Sequence, residues 1–225
     1  MFLRGRKFLY CLEDSSPKTE SNKSETKTGE KTAVHRLQHD RRSTFDAFTY
    51  LNRIPEIPYD EETPQGFSGR IFGRLANQEG RQQIKTPKGM DRLAYDGFKT
   101  FLRLEGSENT GNCVACHTPP TFQDLKSHVT ATGSPAKTTP TLRNLKYSPE
   151  QLEEILQQKI DASRLKREGV GADIDGAYAS IRIDSNDIPG LVAFLRSLQD
   201  VPNHQFRDII LNSQPLDNST TIDEQ

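Results

Sequence analysis

The sequence predicts an all-α domain of about four helices joined by long loops and set between disordered polar tails. Three observations carry this. Four stretches place apolar residues at helical spacing, and no stretch alternates apolar with polar residues as a half-buried strand would. The segments between those stretches are rich in proline and glycine. The ends have almost nothing to bury: residues 13–44 are dominated by Ser, Thr, Lys and Glu ("SSPKTESNKSETKTGEKT"), and the chain from about Asn212 is polar and acidic. The expected organisation is a polar tail over 1–44, a helical domain over 45–211 and a second polar tail over 212–225.

The first helical stretch places Phe67, Ile71, Phe72 and Leu75 near one face, although Gly69 and Gly73 lower its intrinsic propensity. In the second, "MDRLAYDGFKTFLRL", one side carries Met90, Ala94, Phe98, Phe101 and Leu102 while Arg92, Asp96, Lys99 and Arg103 point elsewhere. It is expected to end at Gly106. The third opens with "SPEQ". Ser148 caps, Pro149 suits the first helical position, and Gln151 completes a capping box ahead of Leu152, Ile155, Leu156 and Ile160. The fourth follows Pro189 with Leu191, Phe194, Leu195 and Leu198 at i, i+3, i+4 and i+7. Four modest apolar stripes bury little by themselves, and the loop from Thr118 to Pro140 contains no large apolar cluster. Something is expected to organise it.

Charge and composition exclude several partners. The 225 residues carry 30 basic and 31 acidic side chains, for a net charge of -1, which leaves no electrostatic footprint for nucleic acid. Mean hydropathy is -0.75, and no apolar run approaches the roughly 18 residues of a membrane span. Three cysteines, two of them in one motif, do not make a disulfide-stapled scaffold. The third, Cys11 in "RGRKFLYCLED", has no partner in view. The apolar stretch before and around it, Phe8 to Leu12, is too short for the core of a secretory signal.

The chemistry concentrates in "GNCVACHTPP", where Cys113, Cys116 and His117 fall within five positions. A structural zinc site usually needs two cysteine pairs, and completing one with His117 and His128 would ask adjacent Cys116 and His117 to ligate one tetrahedral ion. A thioredoxin-like redox pair belongs at a strand-to-helix junction, and no such strand is predicted. C-x-x-C-H is the attachment signature of c-type haem. Both thiols add to haem vinyl groups, and the histidine that follows reaches the iron. The motif therefore predicts one covalent haem c held by Cys113 and Cys116, with His117 as the proximal iron ligand.

"GNCVACHTPPTF", "KTTPTLRN" (137–144) and "IPGLVAFLRSL" (188–198) resemble the C-terminal haem domain of bacterial di-haem cytochrome c peroxidases and the related methylamine-utilisation haem proteins. "FSGRIFGRL" and "AYDGFKTFL" are similar to the helices preceding that haem, so the resemblance spans roughly residues 66–200. It implies a cytochrome c-like fold and places Arg143 near the haem propionates, a role its bidentate fork suits. The chain departs from the family in two ways. It has one C-x-x-C-H where peroxidase members have two, and "LKYSPEQLEE" stands where a histidine-containing segment usually follows TLRN.

Three functions stay open on these residues: an electron-transfer domain, a peroxidase-type oxidoreductase with a second haem on a partner, and a degenerate haem domain. The expected partner is a redox protein, which includes another haem domain. Covalent haem attachment implies a periplasmic or otherwise extracytoplasmic location. The sixth iron position is expected to be open or weakly closed. Met1 and Met90 both precede the motif, His35 and His39 lie in or beside the tail, and His204 follows the last helix. His128 in "DLKSHVTATG" is the leading candidate for a distal ligand, with Tyr178 behind it.

Overall fold

The computed structural model describes residues 42–103 and 110–216. Cys11, His35, His39, Gly106, residues 1–41 of the tail expected over 1–44 and the last residues from 217 lie outside the described residues. Among the described residues the chain is mostly helical, with six α-helices and three pairs of two-residue strands. Four helices coincide with the predicted stripes. The other two lie at the ends of the domain.

The first end helix starts where the polar tail is expected to finish. Arg42–Ser43 (β1) leads into Thr44–Asn52 (α1). Ser43 Oγ accepts from the Asp46 amide at 3.2 Å, and the Asp46 carboxylate accepts from the Ser43 amide at 2.7 Å. This capping box satisfies two N-terminal amides at once and turns Phe45 and Phe48 into the core.

Pro64–Gly80 (α2) is capped by Thr63 and buries Phe67, Ile71 and Leu75. Lys85–Thr86 (β2) leads towards Arg92–Leu102 (α3), whose cap, Asp91, accepts from the Ala94 amide at 3.0 Å. Met90, Ala94, Phe98, Phe101 and Leu102 are buried as their spacing predicts, and Tyr95 joins them. Past the cysteine motif come Ser127–His128 (β3) and Lys137–Thr138 (β4), then Pro149–Arg167 (α4) with its expected capping box. In α4 Leu152 and Leu156 are buried, Ile155 and Ile160 only partly. Ile188–Ser197 (α5), Asp200–Val201 (β5), Asn203–Leu211 (α6) and Gln214–Pro215 (β6) complete the described chain. No residue of α6 is buried, which explains why its pattern gives no core signal.

The antiparallel pairs β1–β5 and β2–β6 fasten the ends of the domain. Leu216, buried beside β2, brings the described domain to the far side of Asn212. The third pair, β3–β4, holds Ser127 opposite Thr138 and His128 opposite Lys137, in the loop that follows the motif.

The core is built on α3 crossing α5. A Cβ placed on Gly97 would lie 1.9 Å from the Gly190 carbonyl oxygen, so the two backbones touch where neither residue has a side chain. Aromatic rings fill the space around this crossing. The Phe45 ring meets those of Phe98, Phe122 and Phe194 edge-on at 4.9, 5.5 and 5.4 Å. Phe122 comes from the loop expected to lack an apolar anchor, and it is fully buried. One phenylalanine ties the segment after the motif into the main core.

Candidate functional site

The motif is presented by a turn that only glycine permits. The Gly111 amide donates to the Thr100 carbonyl at 3.0 Å, and a Cβ on Gly111 would lie 2.3 Å from that oxygen. Asn112 follows in the left-handed region at φ 47°, and its side-chain amide donates to Ser180 Oγ at 2.6 Å. Asparagine tolerates that conformation better than most residues. Cys113–Ala115 then forms a single 3-10 turn, with the His117 amide bonded to the Cys113 carbonyl at 2.8 Å. Val114 is buried in the core and pins the turn from below. Thr118 Oγ1 donates to the Val114 carbonyl at 3.0 Å and closes it.

Both thiols are free. Cys113 packs against the core, donates to the Gly111 carbonyl at 3.4 Å, and is pushed up to about 12 by burial. Cys116 is pushed up to about 11, by burial first and then by the negative charges of Asp124 and Asp175. Catalytic redox pairs instead hold one thiol well below its ordinary value. A pair protonated at neutral pH offers little thiolate and is slow in dithiol exchange.

His117 is half-buried, and burial holds its imidazole below the ordinary histidine range. Its Nδ1 lies 2.9 Å from the Phe122 carbonyl oxygen. A carbonyl only accepts, so Nδ1 carries the proton and Nε2 keeps its lone pair. This is the tautomer a metal-bound imidazole needs, oriented in the way such ligands usually are. The sequence predicts that one loop carbonyl holds the second nitrogen of this ring, those of Pro119, Pro120 and Pro140 being near. A loop carbonyl does hold it, that of Phe122 at 2.9 Å, and Pro140 adds a further carbonyl interaction.

His128 stands differently from its expected distal role. Its Nδ1 is 2.7 Å from Asp175 Oδ2 and its Nε2 is 2.9 Å from Asp124 Oδ2. Both ring nitrogens face carboxylates, so the imidazole is stabilised as the cation and its pKa is raised, chiefly by Asp175. Asp124 is correspondingly held low, at about 2, with the Lys126 amide, Thr139 and His128 stabilising its charge against the cost of burial. In this arrangement neither nitrogen is free for iron.

Arg143 also takes a partner the sequence did not suggest. Its two terminal nitrogens donate to the Asp46 carboxylate at 2.6 and 3.0 Å, and Nε donates to the Pro120 carbonyl at 2.6 Å. The fork expected near haem propionates instead joins the loop after the motif to the first turn of α1. Met90 is fully buried, as a core residue rather than a ligand. His204 is exposed at the start of α6. Tyr178, buried in a second small cluster with Ala162 and Ile174, has its phenol pushed up chiefly by burial and bonds the side chain of Thr130.

Asp124 and Asp175 are the side chains of the candidate site that sequence reasoning missed. Asp124 lies four residues before His128, a spacing that could have been noticed. Asp175 lies 47 residues away from His128 and leaves no local signal. No family model matches the chain, and comparison with curated proteins and with solved structures gives no match either.

Proposed function

We propose that the chain is a c-type cytochrome domain that holds one covalent haem on Cys113 and Cys116, binds its iron through His117, and transfers electrons. The observation that carries this is the state of the three side chains on one turn. Two free thiols, at Cys113 and Cys116, share one turn with an imidazole whose Nδ1 is fixed by a backbone carbonyl. The donor set therefore fits the group that the C-x-x-C-H spacing implies. Bound haem supplies a one-electron couple that the side chains of this chain lack.

The residues around the turn set its properties. Gly111, Asn112 and Val114 fix the backbone from which both thiols project. The Phe122 carbonyl holds the His117 ring in one orientation, and a more strongly bonded Nδ1–H makes Nε2 a more basic ligand. The carboxylates of Asp124 and Asp175 put negative charge beside Cys116, partly balanced by the His128 cation, which favours the oxidised, more positive iron state. A redox protein is the partner this reading calls for, in an extracytoplasmic compartment where c-type haem is attached.

The second reading is a peroxidase-type oxidoreductase of the kind the sequence resembles. It is favoured by the positions of Met90, buried in the core, and His128, held by two carboxylates. Both side chains are engaged elsewhere in the fold, and a haem whose sixth position stayed open would admit small ligands. Ferric protein that binds cyanide rapidly and turns over hydrogen peroxide with an electron donor would select this reading. A low-spin iron indifferent to both would select the carrier. Co-expression with c-type maturation machinery tests the shared premise: the expected product has a Soret band that survives acid-acetone extraction. Cys113→Ala or Cys116→Ala should leave a single thioether or a poorly assembled protein.

A further inference from the structure

Beside the haem-attachment turn, the structure brings together donors that the haem reading does not use. The Cys116 sulfur, an Asp124 carboxylate oxygen and a His128 ring nitrogen all lie within 4.8 Å of one another. All three residues are half-buried, which leaves a route from solvent. The loop that supplies Asp124 and His128 is braced on both sides: the Lys126 carbonyl accepts from the Thr139 amide at 2.9 Å, and the Val129 carbonyl accepts from the Asp175 amide at 3.0 Å. The Asp175 carboxylate holds His128 Nδ1 at 2.7 Å and so aims Nε2 towards Asp124. A carboxylate on the far nitrogen of a ligating histidine is the arrangement that fixes such a ring on a metal.

We propose that the haem-free chain binds one zinc ion through the Cys116 thiolate, an Asp124 oxygen and His128 Nε2, with Asp175 positioning the histidine and the fourth coordination position left to water. A mixed sulfur, nitrogen and oxygen donor set suits zinc rather than calcium or magnesium, which take oxygen alone. Zinc bond lengths place tetrahedral ligand atoms about 3.3–3.8 Å apart. The 2.9 Å contact between Asp124 and His128 must open slightly and the sulfur must close in, shifts of about 1 Å or less. Binding is charge-balanced: one proton leaves the Cys116 thiol and one leaves His128 Nε2 as the ion enters.

The site and the haem share Cys116. Once that sulfur is bonded to haem carbon it is a neutral thioether and a poor zinc ligand, so attachment empties the zinc site; this second half rests on the haem reading. Zinc would then occupy the chain before maturation, guard the Cys116 thiol and order the 124–128 loop.

The test uses the full chain produced without haem maturation and kept reduced, titrated with cobalt(II) and then zinc(II). Expected is one tetrahedral cobalt per chain with a thiolate charge-transfer band, displaced by zinc. His128→Ala and Cys116→Ser should each weaken zinc binding at least 100-fold, and Asp175→Asn roughly 10–100-fold. X-ray absorption of the zinc-loaded wild type, which depends on no variant, should show one sulfur and otherwise nitrogen and oxygen neighbours. Two sulfurs, or an equal loss on Cys113→Ala, would assign the ion to the thiol pair and overturn the proposal. So would an octahedral cobalt spectrum without charge transfer. A chain that binds zinc in this way yet gains no Soret band after maturation would uphold the zinc site and remove the haem reading.

Discussion

At the residue scale, the imidazole of His117 and that of His128 show how environment divides one side-chain type between two roles. His117 is half-buried against a carbonyl and kept neutral; His128 lies between two carboxylates and is kept charged. The sign of the pH dependence follows from the second. With its pKa raised on folding, the His128 cation contributes stability in full below the unfolded value of about 6.5, and loses it as pH rises through the folded value. Asp124 and Asp175, both held low, contribute above the unfolded value of about 3.8 and lose it only as pH falls through their folded values, about 2 for Asp124. Cys116, at about 11, stays a neutral thiol throughout this window, and Lys166 adds a minor favourable charge to Asp175. The cluster should be strongest between about pH 4 and 6.5. In metal-free, haem-free chain, the His128 ring resonances are expected to titrate above 6.5, and His128→Ala should destabilise more at pH 5.5 than at pH 8.5. An ordinary or depressed His128 titration would contradict the two-carboxylate geometry.

The C-x-x-C-H turn was legible at this scale because all its chemistry is local: five consecutive residues name the donors and their order. The surroundings were not. Asp175 reaches His128 across 47 residues, and Arg143 reaches Asp46 across 97. Such pairs exist only after the chain has folded, and neither has a periodic or spacing signal in the sequence.

At the scale of elements, the four helices with a long apolar stripe were readable, and the two end helices were missed for different reasons. α3 and α5 announce themselves by residues such as Phe98 and Phe194, which the fold buries completely. α6 buries nothing, and its Phe206 ring under the Arg42 guanidinium, 5.2 Å away, links it to β1. α1 had a signal that polar composition hid: Ser43-Thr44-Phe45-Asp46 is a capping box at the edge of a Ser/Thr/Lys/Glu-rich tract. Replacing Ser43 with Ala removes that cap and should cost about 1 kcal/mol of stability in a denaturant titration.

The α3–α5 crossing makes a stronger prediction. Adding a methyl group at Gly97 puts carbon 1.9 Å from the Gly190 carbonyl oxygen, and backbone cannot yield as a flexible side chain can. The helices must separate and loosen the aromatic cluster around them. Gly97→Ala is expected to destabilise by about 3 kcal/mol or more, at the upper end for overpacked sites. An unchanged denaturation midpoint would show that the helices do not meet at this contact.

At the scale of the whole molecule, the distribution of the core changes what the proposed haem would be needed for. Sequence alone left the loop after the motif without an apolar anchor. Phe122 provides one inside the ring cluster of Phe45, Phe101 and Phe194. The haem-free chain should therefore unfold cooperatively, with the helical core intact, and haem should raise the midpoint further by binding the folded state alone. Phe122→Ala should cost about 3–5 kcal/mol and release the carbonyl-bearing loop that orients His117.

The central claim, one haem fixed through Cys113 and Cys116 and ligated by His117, is tested most directly by a reduced-minus-oxidised spectrum of the chain after c-type maturation, recorded with and without His117→Ala. Expected are one extraction-resistant haem per chain with reversible Soret and visible bands, and an altered axial spectrum in the variant. A matured chain with no Soret band, or one whose spectrum is unmoved by His117→Ala, would contradict it.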